Sequence, residues 1–150
     1  MELSESNGIL KQRMLWQVEQ ERLKKFLVVY DDFATTNSHD RSNSEFLPRF
    51  IGGIDVSFHK KDPELACGVL VVIDMDTLDV LYEDFKIVRL TLPYIPGFLA
   101  FRESPVLLDL IQKVVKEHPE LAPDVIMVDG NGILHPRGFG LACHVGVLAN

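Results

Sequence analysis

Three acidic residues stand where ordinary surface carboxylates are not expected. Asp55 interrupts the apolar run IGGIDVSF, Glu103 follows the proline-rich stretch TLPYIPGFLAFR, and Asp129 closes the apolar run VIMV. They are 48 and 26 residues apart, so only folding could unite them. Carboxylates gathered at one place repel and take up protons unless a cation neutralises them. An all-oxygen donor set favours Mg²⁺ or Mn²⁺ over zinc, and a pair of such ions is a recurrent means of activating water in phosphodiester hydrolysis. Each acid also has a plainer reading. Asp55 could be hydrogen-bonded near a strand end, Glu103 could favour a helix N-terminus through its dipole, and Asp129 could be a turn former before Gly130.

The elements that must position these acids follow from patterning. Phe50 to Phe58, Ala66 to Met75 and Leu78 to Leu90 have strand character, and the turn residues between them predict an antiparallel meander. Ser104 and Pro105 make an N-cap and first residue for a helix with the apolar stripe Leu107, Leu110, Ile111 and Val114, which ends at His118-Pro119. Asp124 to Val128 reads as a fourth strand, and a second helix is predicted from about Phe139. A right-handed crossover would set strand four parallel to strand one. The carboxyl ends of strands one, three and four then share an edge, where open sheets place their ligand sites.

Ahead of the sheet, Ile9, Trp16, Leu23 and Leu27 fall within about 40° of one another on a helical wheel, which predicts an amphipathic helix. Lys11, Arg13, Arg22 and Lys24 lie nearby and read as a solvated face rather than a phosphate grip. Asp31 to Pro48 is polar and Ser/Asn-rich, as in a loop. The 150 residues, 47% hydrophobic, fit one domain. The net charge of −7 argues against coating duplex DNA by bulk attraction, but not against gripping phosphates through bound ions. The longest apolar run, Ala66 to Ile73, is far below the ~20 residues that span a bilayer, and no membrane partner is expected. Cys67 and Cys143 lack paired spacing and suit buried free thiols, which points to the cytoplasm, with the nucleus or nucleolus as alternatives.

Two longer stretches, PYIPGFLAFRE (Pro93 to Glu103) and DGNGILHPRGFGLACHVG (Asp129 to Gly146), together with GGIDVSF (Gly52 to Phe58), resemble the endonuclease V family of inosine-directed nucleases, from about residue 10 onward. The resemblance implies an α/β, ribonuclease-H-like mixed sheet of three antiparallel strands plus a parallel fourth, flanked by helices, with residues 1–150 forming the N-terminal portion of a single domain. It implies that Asp55, Glu103 and Asp129 hold Mg²⁺, with Mn²⁺ able to substitute, and catalyse hydrolysis. Tyr94, Ile95, Pro96 and Gly97 would form a wedge filling the space of an extruded base. Gly97, Leu99, Gly130, Gly140 and Leu141 would line a tight hypoxanthine pocket, where glycines let the main chain approach the base edge. His135 and Arg137 would hold phosphate oxygens. On residue grounds alone Tyr94 is a tyrosine packed on its own loop, His135 a solvent-facing loop histidine and His144 a packed, hydrogen-bonded one.

The implied substrate is inosine-containing RNA, single-stranded or structured, cut at the second phosphodiester on the 3′ side, with deoxyinosine DNA as a second candidate. Family members continue past the position of Asn150 with a fifth strand and a lysine-bearing segment. The expectation is therefore a fragment, or a chain that a second chain completes, with weak or no nuclease activity alone. The alternative is an inactive inosine- or nucleic-acid-binding module.

Overall fold

A computed structural model describes residues 2–30 and 48–149, with side chains described from Gly8. The loop expected over Asp31 to Pro48 falls mostly outside the described residues. In chain order the elements are α1 (Glu2–Lys24), β1 (Phe50–His59), β2 (Asp62–Asp74), β3 (Val80–Arg89), α2 (Leu99–Glu117), a 3-10 turn (Pro119–Leu121), β4 (Val125–Val128) and α3 (Leu141–Ala149). One mixed sheet runs in the order β3-β2-β1-β4.

The meander forms as patterned. β1 and β2 pair antiparallel from Phe50↔Asp74 to Phe58↔Ala66, and β2 pairs antiparallel with β3. The β2–β3 turn is built by Asp74, whose buried carboxylate accepts the backbone N–H groups of Asp76 and Thr77 and also takes Arg49 at 3.0 Å. β4 lies parallel to β1, from Ile51↔Val125 to Ile54↔Val128. The Asp124 carboxylate fastens that junction by accepting the N–H groups of Arg49 and Phe50 at 2.9 Å each.

The sheet's two faces differ. On one, Ile54, Leu70 and Val72 pack against Val106, Leu107, Leu110, Ile111 and Val114 of α2 and against Leu141 and Val145 of α3. α2 approaches so closely at Gly68 that a Cβ there would stand 2.8 Å from Val106. The other face carries half-buried Cys67, Val69 and Val71 and exposed Phe85, Ile87 and Met127. Cys67, expected buried, is half-exposed because its alternation places it on this face, whereas Cys143 is buried; both thiols are free.

Two expectations shift. α2 begins at Leu99 and carries Pro105 inside it, rather than starting at a Ser104 cap. Pro105 cannot donate a helical hydrogen bond, and the added turn ahead of it buries Ala100, Glu103 and Ser104. α1 buries Trp16 and Leu23, while Ile9 is 47% exposed. Arg22 pairs with Glu19, and Lys24 donates to the Arg137 carbonyl at 2.7 Å. Among the described residues no helix is long and apolar enough to cross a membrane.

Candidate functional site

Parallel pairing of β1 and β4 sets two of the three acids side by side. Beyond the last ladder pair, Ile54↔Val128, the Asp129 N–H donates to the Ile54 carbonyl at 3.2 Å. With Ile54 turned into the core, its neighbour Asp55 points to the sheet's open face. Asp55 and Asp129 are exposed and line one open hollow of about 540 Å³ whose floor is Gly53, Val69, Val71 and Met127. Asp55 Oδ1 accepts the Val56 N–H at 2.7 Å.

Glu103 reaches this neighbourhood from α2 and, unlike the other two, is buried. Burial raises its carboxyl pKa to about 7, the charge of Asp55 and then that of Asp129 add to the rise, and Arg102 opposes it. The charges of Asp55 and Asp129 thus reach Glu103. The three acids do not converge fully: among the described residues no three acidic, histidine or cysteine groups meet closely enough to hold an ion. The donor set itself fits a hard divalent cation, being all carboxylate, with one member already penalised for its negative surroundings.

A second, narrower hollow of about 120 Å³ lies between the loop before α2 and the loop after β4. This is below the usual ~300 Å³ of a drug-sized ligand site and suits a single ring system. Of the residues expected there, Gly97, Leu99, Gly140 and Leu141 line it; Tyr94, expected in the wedge, joins them with Gln20, Ala100, Asn131 and His135. Gly130, at φ +143°, lies outside the lining and brings the chain against Leu141. Gly140 is pressed so tightly on the Asn131 backbone that any Cβ would overlap the Asn131 carbonyl.

The Tyr94 to Gly97 segment divides. Tyr94 and Pro96 are exposed, whereas Ile95 is buried with Trp16 and Phe98 and anchors the segment instead of leading it. Gly97 takes φ +83°, a left-handed conformation that glycine adopts without strain.

His135 and Arg137, expected to face phosphate, are both turned inward. His135 is buried; its Nε2 donates to the Gly97 carbonyl at 3.1 Å and its Nδ1 accepts the Arg137 N–H at 3.1 Å. That arrangement uses both nitrogens of a neutral ring, and burial, then Arg137, lowers its pKa against the opposing Gly97 hydrogen bond. The Arg137 guanidinium lies 4.2 Å above the Phe98 ring and bonds to Gln20 and the Gly97 carbonyl. His144 is packed between Phe101 and Phe139 as expected, but among the described residues its buried Nδ1 has no hydrogen-bond partner. Burial pushes its pKa down to about 4, with Glu19 opposing.

Gln20 escaped the sequence reading. Its signal was available: with Trp16 and Leu23 it occupies positions i, i+4 and i+7 of α1's buried stripe, where a polar residue needs a partner.

Comparison with known proteins agrees with this geometry. The chain is 48% identical over 136 residues to human Endonuclease V, covering 91% of this chain and 47% of that protein. The crystal structure of the human catalytic domain superposes with a TM-score of 0.80 at 46% identity, over 92% of this chain and 55% of that one. A Ciona intestinalis Endonuclease V variant, crystallised with a 23mer DNA containing an inosine followed by a ribo-adenosine, superposes at 0.81 with 33% identity, over 93% of this chain and 54% of that one. The chain spans about half the length of the curated relatives it matches. A four-stranded mixed sheet with this crossover, these relatives, and a match of residues 33–150 to the Endonuclease V family profile establish that the chain belongs to the Endonuclease V family.

Proposed function

We propose that the protein is a metal-dependent endonuclease acting on inosine-containing RNA, with deoxyinosine DNA as a second substrate. The observation that carries this reading is the placement of Asp55, within β1 just past the last pair of its ladder with β4, and Asp129, just past the end of parallel β4, in one solvent-open hollow. Ciona relatives crystallised with inosine-containing strands support the choice of substrate.

Asp55 and Asp129 would hold Mg²⁺ or Mn²⁺, with Glu103 as the third donor once its side chain turns to them. The ion, when bound, supplies activation of water and charge stabilisation on the leaving oxygen. The chain's part is to orient the strand. The glycine-walled pocket takes the extruded base, and exposed Tyr94 offers a ring for stacking in the gap the base leaves. Attack of water on phosphorus breaks the P–O3′ bond at the second linkage beyond inosine, leaving a 3′-hydroxyl and a 5′-phosphate. Guanine carries an exocyclic amine that hypoxanthine lacks, and a close-fitting pocket rejects it by steric and desolvation costs.

A second reading is that of an inosine-binding module without hydrolysis. It draws on the incomplete convergence of the three acids. The two are separated by a nicking assay on inosine and guanosine RNA oligonucleotides, in Mg²⁺ and in chelator, with wild type and Asp55→Ala. Mg²⁺-dependent cutting of the inosine strand alone, lost in Asp55→Ala, is the expected result. Inosine binding with no cutting selects the second reading, and equal treatment of both strands defeats both.

A further inference from the structure

The pocket's hydrogen bonds converge on a residue outside both long motifs. Gln20 of α1 is 2% exposed and lines the pocket. Its Nε2 donates to the Phe139 carbonyl at 2.7 Å and, at the long limit of 3.5 Å, to the Gly97 carbonyl, while its Oε1 accepts from Arg137 Nε at 2.6 Å. The amide's orientation follows from its partners, because a guanidinium only donates and a carbonyl only accepts. Phe139 and Gly97 belong to the two loops that form opposite walls. Among the described residues no backbone hydrogen bond joins those loops directly. Side chains make the connection: Gln20 binds both, and Arg137 and His135 reach from the second loop to the Gly97 carbonyl.

We propose that Gln20 is the positioning residue that sets the width of the pocket, and with it the discrimination between hypoxanthine and guanine. The proposal rests on the base-pocket reading above. Both Nε2 hydrogens are committed to main-chain carbonyls, so Gln20 acts through the walls and leaves reading of the base to other groups. A wall whose Gly97 carbonyl is held by three side-chain donors rejects the extra C2 amine of guanine; a wall free to shift admits it.

The test compares binding of fluorescent single-stranded RNA oligonucleotides, one with a central inosine and one with guanosine, by anisotropy in chelator so that no strand is cut. Wild type, Gln20→Leu, Gln20→Glu and Gln17→Leu are measured. Gln17→Leu makes the same change on an exposed position of the same helix. Gln20→Glu keeps an oxygen for Arg137 but loses both donors, and it decides the comparison should Gln20→Leu fail to fold. Wild type and Gln17→Leu are expected to favour inosine equally. In the Gln20 variants that preference should fall about tenfold, the scale of one to two lost buried hydrogen bonds, chiefly by a gain in guanosine binding relative to inosine. An unchanged ratio in the Gln20 variants, or equal loss of both strands, overturns the proposal while leaving the base-pocket reading intact. A wild type that binds both strands equally removes that reading and the proposal with it.

Discussion

The carboxylate hollow and the base pocket share the turn after β4, yet their polar groups are handled in opposite ways. In the pocket, Gln20, His135 and Arg137 spend their hydrogen-bonding capacity on one another and on main-chain carbonyls. In the hollow, Asp55 and Asp129 stand exposed on an apolar floor, with only Asp55 held by a local N–H, and Glu103 pays for burial near them with a raised pKa. The pocket's shape is therefore supplied from within the chain. The hollow's charge calls for a complement from outside it. A site that discriminates by fit needs walls fixed before the ligand arrives, whereas a cation can organise flexible carboxylates as it binds.

The sharpest way to break this contrast is Gly140→Ala. A Cβ at that position would stand 2.1 Å from the Asn131 carbonyl oxygen and 2.7 Å from its carbon, so backbone has to move. The expected loss is about 3 kcal/mol or more, a fall of roughly 10 °C in thermal midpoint. A variant melting within about 2 °C of wild type would mean that the pocket wall yields easily and is not preset.

His144 gives the next largest effect and concerns the rigid side. Its ring is buried with Nδ1 unpartnered among the described residues, and the folded protein holds its pKa near 4 against 6.5 unperturbed. The folded state therefore favours the neutral ring. That stabilisation is complete above about pH 6.5 and is lost as pH falls towards 4, by on the order of 3 kcal/mol. Glu103, whose pKa is raised, acts in the opposite sense below pH 7, so the measurement is a difference. Urea midpoints of wild type and His144→Gln between pH 7 and 4 should show the variant losing less stability on acidification. Parallel curves would place the ring in a wetter setting than its burial indicates.

Much of this contrast was legible in the residues, and what was not has physical causes. The meander and the parallel β4 follow from alternation, turn chemistry and crossover handedness, all local or topological rules, and they bring Asp55 beside Asp129. The start of α2 was misread because Ser104-Pro105 is a strong local signal. The packing that overrides it, Ala100 within the apolar core, is tertiary. His135 and Arg137 carry the chemistry of phosphate ligands. Arg137 turns inward to Gln20, 117 residues away, and His135 to the Gly97 carbonyl, 38 away, and no pattern within a window registers such contacts. Ile95 was grouped with an exposed wedge for the same reason, since its burial is supplied by Trp16 of α1.

The smallest effects sharpen the contrast between the sites through one pair of glycines. Gly97→Ala puts a side chain at φ +83° with its Cβ 2.9 Å from the Arg137 guanidinium. The left-handed conformation costs about 1–2 kcal/mol, while the guanidinium, the far end of a flexible side chain, can give way. Inosine preference should therefore fall along with stability. Gly53→Ala, on the hollow's floor, meets nothing within 4 Å and lies in a strand. There the methyl group mainly reduces the entropy of the unfolded chain, a gain of about 0.4–1 kcal/mol, and the thermal midpoint should rise by up to about 4 °C. Paired melts of the two variants should move in opposite directions. A Gly53→Ala protein that melts below wild type would mean that the open floor is constrained by something the free space around that residue does not reveal, and the division between a preset pocket and a pliant hollow would fail on the hollow's side.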